Sequence, residues 1–169
     1  MSDCLTLFAQ CLASGVFVVS AVSKLRDVPG FGVTVQRLAP IPSRVALGLA
    51  WTVVLAELLT AGVVWYGDGR PGLLLAGLLS TGLAGIAFRA TALPVPVPCR
   101  CFGRSTAPLG ARHGIRNLVL AALMVAGLVT AGADRPVPPL GGIALAVAAA
   151  AVGVIVTVYL DDLAELARP

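Results

Sequence analysis

Five long apolar runs, separated by short polar stretches, constrain this chain more than any other feature. They cover about 5–22, 45–65, 73–92, 115–133 and 143–160, each near the ~20 residues a helix needs to cross the hydrocarbon core. Inside a bilayer the backbone must satisfy its own hydrogen bonds, so only helices or closed barrels can span it. The runs are continuous rather than alternating, which excludes barrel strands. The expected fold is all-α: a polytopic transmembrane helix bundle, with 1–169 as a single membrane-embedded domain. Composition agrees, with 58% of residues hydrophobic and 12% charged. The charged share is about half the roughly one quarter typical of soluble domains.

Turn and stop signals punctuate the runs at Asp68-Gly69-Arg70-Pro71, Leu93-Pro94 and Asp134-Arg135-Pro136. The links between runs two and three, and between four and five, are short and force antiparallel neighbours. The link over 24–44 carries Phe31, Val33, Val35, Leu38 and Ile41 among Gly, Pro and Arg, as a broken amphipathic stretch in the interface would. The link over 94–114 is the most irregular and polar part. Small residues at helical spacing, Gly77-Thr81-Gly85 and Ala149-Gly153-Thr157, predict close-packing stripes.

Five spans put the termini on opposite sides. One side holds Lys24, Arg26, Arg37, Arg44, Arg89, Arg100, Arg104, Arg112, Arg116 and Arg168, and the other only Arg70 and Arg135. The positive-inside rule predicts a cytoplasmic C-terminus and an N-terminus outside. Arginines that belong to a binding site would be poor markers of topology. The net charge of +4 has no aromatic-interleaved basic stripe, which excludes nucleic acid as a partner. Asp3 precedes the first run while Lys24 and Arg26 follow it, so that run reads as a retained helix rather than a signal peptide. Gln10 stands before Cys11 where a lipoprotein site would want a small residue.

The chemistry concentrates in Pro94-Val95-Pro96-Val97-Pro98-Cys99-Arg100-Cys101-Phe102-Gly103. Alternating prolines favour a stiff extended lead. A Cys-x-Cys pair closes only a small, strained disulfide, which suits exchange better than stability. Arg100, Arg104, Arg112 and His113 would favour thiolate, the attacking species. Redox work by Cys99 and Cys101 competes with soft-metal binding by Cys99, Cys101 and His113, and with an inert pair. Cys4 and Cys11, seven apart, share a face of the first helix. Cys11 reads as a core residue, and Cys4 lies at the helix mouth, across the membrane from Cys99 and Cys101.

Glu57 is the one ionisable residue deep in an apolar run, where a charge is costly and by default functional; the alternative is an acid that fixes helix packing. Lys24 is its obvious partner. Counted from the start of its run, however, Glu57 lies roughly 18 Å deep at ~1.5 Å per residue, while Lys24 ends its own run at the interface. Snorkelling does not close that gap. Either Lys24 lies deeper, or Glu57 has another partner. Lys24 and Arg26 at a membrane surface would suit an anionic head group or a quinone oxygen, or simply anchor the helix. His113, Arg116 and Asn117 open the fourth run, where a helix N-terminus attracts anions such as thiolate, and they are expected to face Cys99 and Cys101.

Together, Ser23-Lys24-Leu25-Arg26-Asp27, Glu57, Pro98-Cys99-Arg100-Cys101-Phe102-Gly103 and His113 with Arg116-Asn117 make the chain resemble the MauE family, the methylamine utilisation membrane proteins related to DoxX. The resemblance covers nearly the whole chain and implies a DoxX-like four-helix core plus a fifth transmembrane helix, in the bacterial inner membrane. It implies a role in producing methylamine dehydrogenase, whose small subunit is rich in disulfides, beside a thioredoxin-like partner. Cys99 and Cys101 would be the catalytic redox pair of a thiol–disulfide oxidoreductase or electron relay, with Lys24, Arg26, Glu57, Arg100, His113, Arg116 and Asn117 in support. No cofactor is certain, and a quinone is the candidate. The alternatives are a non-catalytic scaffold for a maturation partner, or a soft-metal or small-molecule transporter. Disulfide assembly belongs outside the cytoplasm, whereas the charge bias puts the cysteines inside. Either the arginines mislead, or the pair exchanges electrons on the cytoplasmic side, or it is buried in the bundle.

Overall fold

The computed structural model describes residues 2–94, 109–132 and 138–166, and of Ser2 and 161–166 the backbone only. Six helices follow one another, and there is no strand among the described residues: α1 (Ser2–Leu25), α2 (Val28–Leu38), α3 (Ser43–Val63), α4 (Arg70–Thr91), α5 (Ala111–Thr130) and α6 (Leu140–Leu166). Five are long and apolar enough to cross a membrane, and α2, with 11 residues, is not. Each of the five starts two to four residues before its apolar run, because polar or small residues and proline fit the first helical turn. Arg70 and Pro71 open α4 in this way.

The chain is apolar on the outside. Leu55, Leu59, Leu78, Val129 and Leu145 are all at least 60% exposed, whereas Lys24 and Glu57 are 1% and 0% exposed. That inversion is expected where the solvent is lipid and polar groups must find partners inside.

Helix α1 is the hub and touches every other helix. Its Ala9, Leu12, Ala13, Val16 and Phe17 form the core with Ala61 of α3 and Val64 just after it, Leu73 and Ala76 of α4, Leu120 and Met124 of α5, and Ala150 of α6. Helices α1 and α3 are antiparallel: Gln10 Nε2 donates to Val64 O at 2.8 Å and Ser14 Oγ to Ala61 O at 3.2 Å. Between α3 and α4 the chain turns on Gly67 and Gly69, which have φ of 60° and 81°, as the Asp68-Gly69-Arg70-Pro71 signal predicts. Gly72 then lets the helices cross closely, since a Cβ there would lie 2.1 Å from the Val64 backbone.

Helix α2 is the amphipathic stretch expected after the first span. Asp27 caps it by accepting from Gly30 N at 2.9 Å, and Val28, Phe31 and Thr34 turn inward. Val28 and Phe31 pack on Ala50 of α3.

The small-residue stripes fall elsewhere than spacing suggests. In α4 the buried seam is Gly72, Ala76, Ser80, Ala84 and Ala87, one residue round from Gly77-Thr81-Gly85. Thr81 and Gly85 are exposed, and a Cβ on Gly85 would meet nothing within 4 Å. In α6, Gly153 and Thr157 do face the bundle, but Ala146 and Ala150 join them rather than Ala149. A helix rich in Ala and Gly on every face offers several such stripes, and only the positions of its neighbours select one.

Candidate functional site

Among the described residues, two clusters of ionisable and amide side chains are buried, beside hydroxyls such as Thr6, Thr60 and Ser80. The first joins α1 to α3. Lys24 Nζ donates to Glu57 Oε1 at 2.7 Å and to Ser20 Oγ at 2.6 Å, and Ser20 Oγ donates to the same Glu57 oxygen at 2.8 Å. The Phe31 ring lies beneath, its centroid 5.4 Å from Nζ, a cation–π distance.

The depth gap expected between Lys24 and Glu57 does not exist. Helix α3 begins at Ser43, well beyond the end of α1, and α2 fills the space that this offset leaves under Lys24. Lys24 therefore ends its helix inside the protein, and the interfacial reading of this residue is corrected. Its side chain also leaves α1 tilted toward the helix N-terminus, which brings Nζ back one turn to Ser20. An ammonium held by two oxygens and a ring is not at the surface to bind a head group. Arg26, exposed just past the helix end, is.

The second cluster opens α5. His113, Arg116 and Asn117 are all buried. Gly110 N donates to His113 Nδ1 at 3.3 Å, closing the first turn. Asn117 Nδ2 donates back to His113 O at 2.9 Å, and Arg116 Nη1 crosses to Thr157 O of α6 at 3.3 Å. These bonds tie the three residues to α5 itself and to α6. Gly114, between them, is pressed against Phe88 of α4, where an added Cβ would come within 2.6 Å of the ring.

Cys99, Arg100 and Cys101 lie outside the described residues, as does most of the 94–114 link. Its two ends are described. Pro94 follows the last turn of α4, and Leu109 and Gly110 precede α5. These ends meet where Gly114 touches Phe88, and they share a side of the bundle with the end of α1, because the start of α1 lies against the end of α5, Thr6 Oγ1 donating to Gly127 O at 3.2 Å. Cys4 and Cys11 belong to the opposite half and are free thiols. Cys11 packs against the core, and Cys4 sits beside Gly142 of α6.

Sequence reasoning missed Ser20 and Phe31. Ser20 was detectable as the residue one turn before Lys24 on the same face, while the Phe31 contact depends on where α2 docks. The role of Thr157 is carried by its carbonyl, which leaves no mark in the sequence.

The family model of the methylamine utilisation protein MauE matches residues 2–130, taking in α1 to α5 and stopping before α6. No curated protein and no solved structure matches the chain. On the family match and its five membrane-crossing helices, the chain is a multi-pass membrane protein that belongs to the MauE family.

Proposed function

We propose that this member of the MauE family is a thiol–disulfide relay of the inner membrane, with Cys99 and Cys101 as its reacting pair. The observation that carries the proposal is the anchoring of their link. It springs from α4 and α5, which pack along their length, Phe88 against Gly114 and Leu73, Ala76 and Gly77 toward Leu120 and Met124. Four residues separate Pro94 from Cys99, so the five steps of chain between them span at most about 18 Å. Arg112 and Arg116 stand in the first turns of α5 at the same end, and cations there favour the thiolate.

The exchange balances without a further reagent. A partner thiolate attacks one sulfur of the Cys99–Cys101 disulfide, and the other sulfur leaves as thiolate. A second partner thiolate then attacks the mixed disulfide. The partner departs oxidised, and Cys99 and Cys101 are left as two thiols, two electrons and two protons having changed hands. The reverse sequence reduces the partner. A thioredoxin-like protein on the cytoplasmic side supplies such a dithiol; the client that the family suggests, the disulfide-rich small subunit of methylamine dehydrogenase, is oxidised on the other side and does not meet the pair directly.

Orientation follows from charge. Buried Lys24 and Arg116 are poor topology markers, yet without them Arg26, Arg37, Arg44, Arg89, Arg100, Arg104, Arg112 and Arg168 still oppose Arg70 and Arg135. This bias supports a cytoplasmic C-terminus and electron exchange on the cytoplasmic side.

Mass-tag trapping of thiols in cells, with Cys4 and Cys11 replaced by Ala, tests both points. The expected result is a reductant-sensitive disulfide involving Cys99 and Cys101, protected from a membrane-impermeant reagent applied outside. Two thiols that never oxidise would remove the relay. Complementation retained in the Cys99→Ser, Cys101→Ser double variant would leave a scaffold.

A further inference from the structure

The fifth span is attached to one side only. Along α1, Gly153 stands against Leu12 and Gly15 against Val154, but α6 stands off α5. Arg116 bridges the gap to Thr157. The gap is a partly open cavity of about 470 Å³, walled by Leu12 of α1, Val119 and Leu123 of α5, and Val156 of α6. That is a volume typical of small-molecule sites, which run from about 300 to about 1,000 Å³.

Three properties narrow the occupant. The lining is apolar along its length, so it takes a hydrocarbon chain. It runs from Arg112 to Leu123, eleven helical steps of α5 and about 16 Å at ~1.5 Å per step, close to the ~15 Å depth of one leaflet. Its charge lies at one end only, where Arg112 and Arg116 line it. Among the described residues Arg112 is exposed and has no hydrogen-bond or ion-pair partner. Basic pockets between transmembrane helices are sites for anionic lipid head groups.

We propose that this cleft holds an acyl chain of an anionic glycerophospholipid, with the phosphate at Arg112 and Arg116. The lipid fills the space that α6 leaves open and wedges it against α5. The site shares Arg112 and Arg116 with the surroundings proposed for the cysteine pair, but its test reads lipid binding and not thiol exchange, so the two readings fail separately.

The test is thermal unfolding of the delipidated protein in non-ionic detergent, titrated separately with phosphatidylglycerol, phosphatidylcholine, oleate, inorganic phosphate and ubiquinone. The expected result is a rise in Tm with phosphatidylglycerol well above that with any other addition. Arg112→Gln should weaken the apparent affinity about fivefold, the effect of losing ~1 kcal/mol per basic residue. Val119→Trp, which fills the cleft, should abolish the response while the helical circular dichroism is kept. Val156→Trp should do the same from the opposite wall. Equal responses to the two phospholipids would overturn the proposal. So would a full response to phosphate, oleate or ubiquinone, or an unchanged response in Arg112→Gln or in both tryptophan variants.

Discussion

The two polar clusters of this bundle are built on different plans. At the α1–α3 seam, Lys24, Ser20 and Glu57 close a triangle of side chains over the Phe31 ring. At the start of α5, three bonds run to the backbone or come from it: His113 accepts from Gly110 N, Arg116 donates to Thr157 O and Asn117 donates to His113 O. A closed side-chain triangle holds two helices in one register, and removing a member leaves a charge stranded. Backbone-directed bonds shape a helix end and leave less dependent on each residue. The first cluster reads as a lock, and the second as the frame of a mouth from which the cysteine link departs.

Breaking the lock should have the largest effect on stability. Glu57→Ala leaves the Lys24 ammonium sealed without its counter-ion, and unfolding in detergent should show a loss of about 3–5 kcal/mol. Replacing both partners, as Lys24→Met with Glu57→Leu, should cost clearly less than the single change, because no charge is then stranded. A double variant as unstable as Glu57→Ala would mean that the pair is more than a lock.

At the mouth the effects should be smaller. Gly114→Ala drives a methyl group into the Phe88 ring, and an overpacked contact of this kind costs about 1–3 kcal/mol. Asn117→Ala removes one neutral hydrogen bond to His113 O, and about 1 kcal/mol should be lost in the same assay. A loss as large as that of Glu57→Ala would erase the distinction between the clusters. Cys99→Ser with Cys101→Ser, a near-isosteric exchange, should shift stability least, within about 0.5 kcal/mol. It should nevertheless abolish thiol exchange, measured as loss of the trapped disulfide.

The difference between the clusters also explains what the sequence made legible. The spans were readable because a length of about 20 apolar residues has few other uses. The pairing of Lys24 with Glu57 was readable as chemistry, since each is the natural partner of the other. It was unreadable as geometry, because the offset of α3 against α1 depends on α2. That helix, 11 residues with Pro29 and two internal glycines, carries too weak a pattern to be placed in advance. The packing seams of α4 and α6 were displaced because Ala and Gly recur on all their faces. Arg116 looked poised toward the cysteines, yet it donates to Thr157 O of α6, whose approach to α1 rests on Gly15, Gly153 and Ala150.

The most direct test of the relay is a mixed-disulfide trap. With Cys4 and Cys11 replaced by Ala, Cys101→Ser leaves Cys99 alone and Cys99→Ser leaves Cys101 alone. After acid quenching and alkylation, membranes are run without reductant. A relay predicts that one of the two variants accumulates a covalent adduct that reductant dissolves, and that the double variant has none. No adduct in either variant, together with undiminished complementation by both, would contradict it.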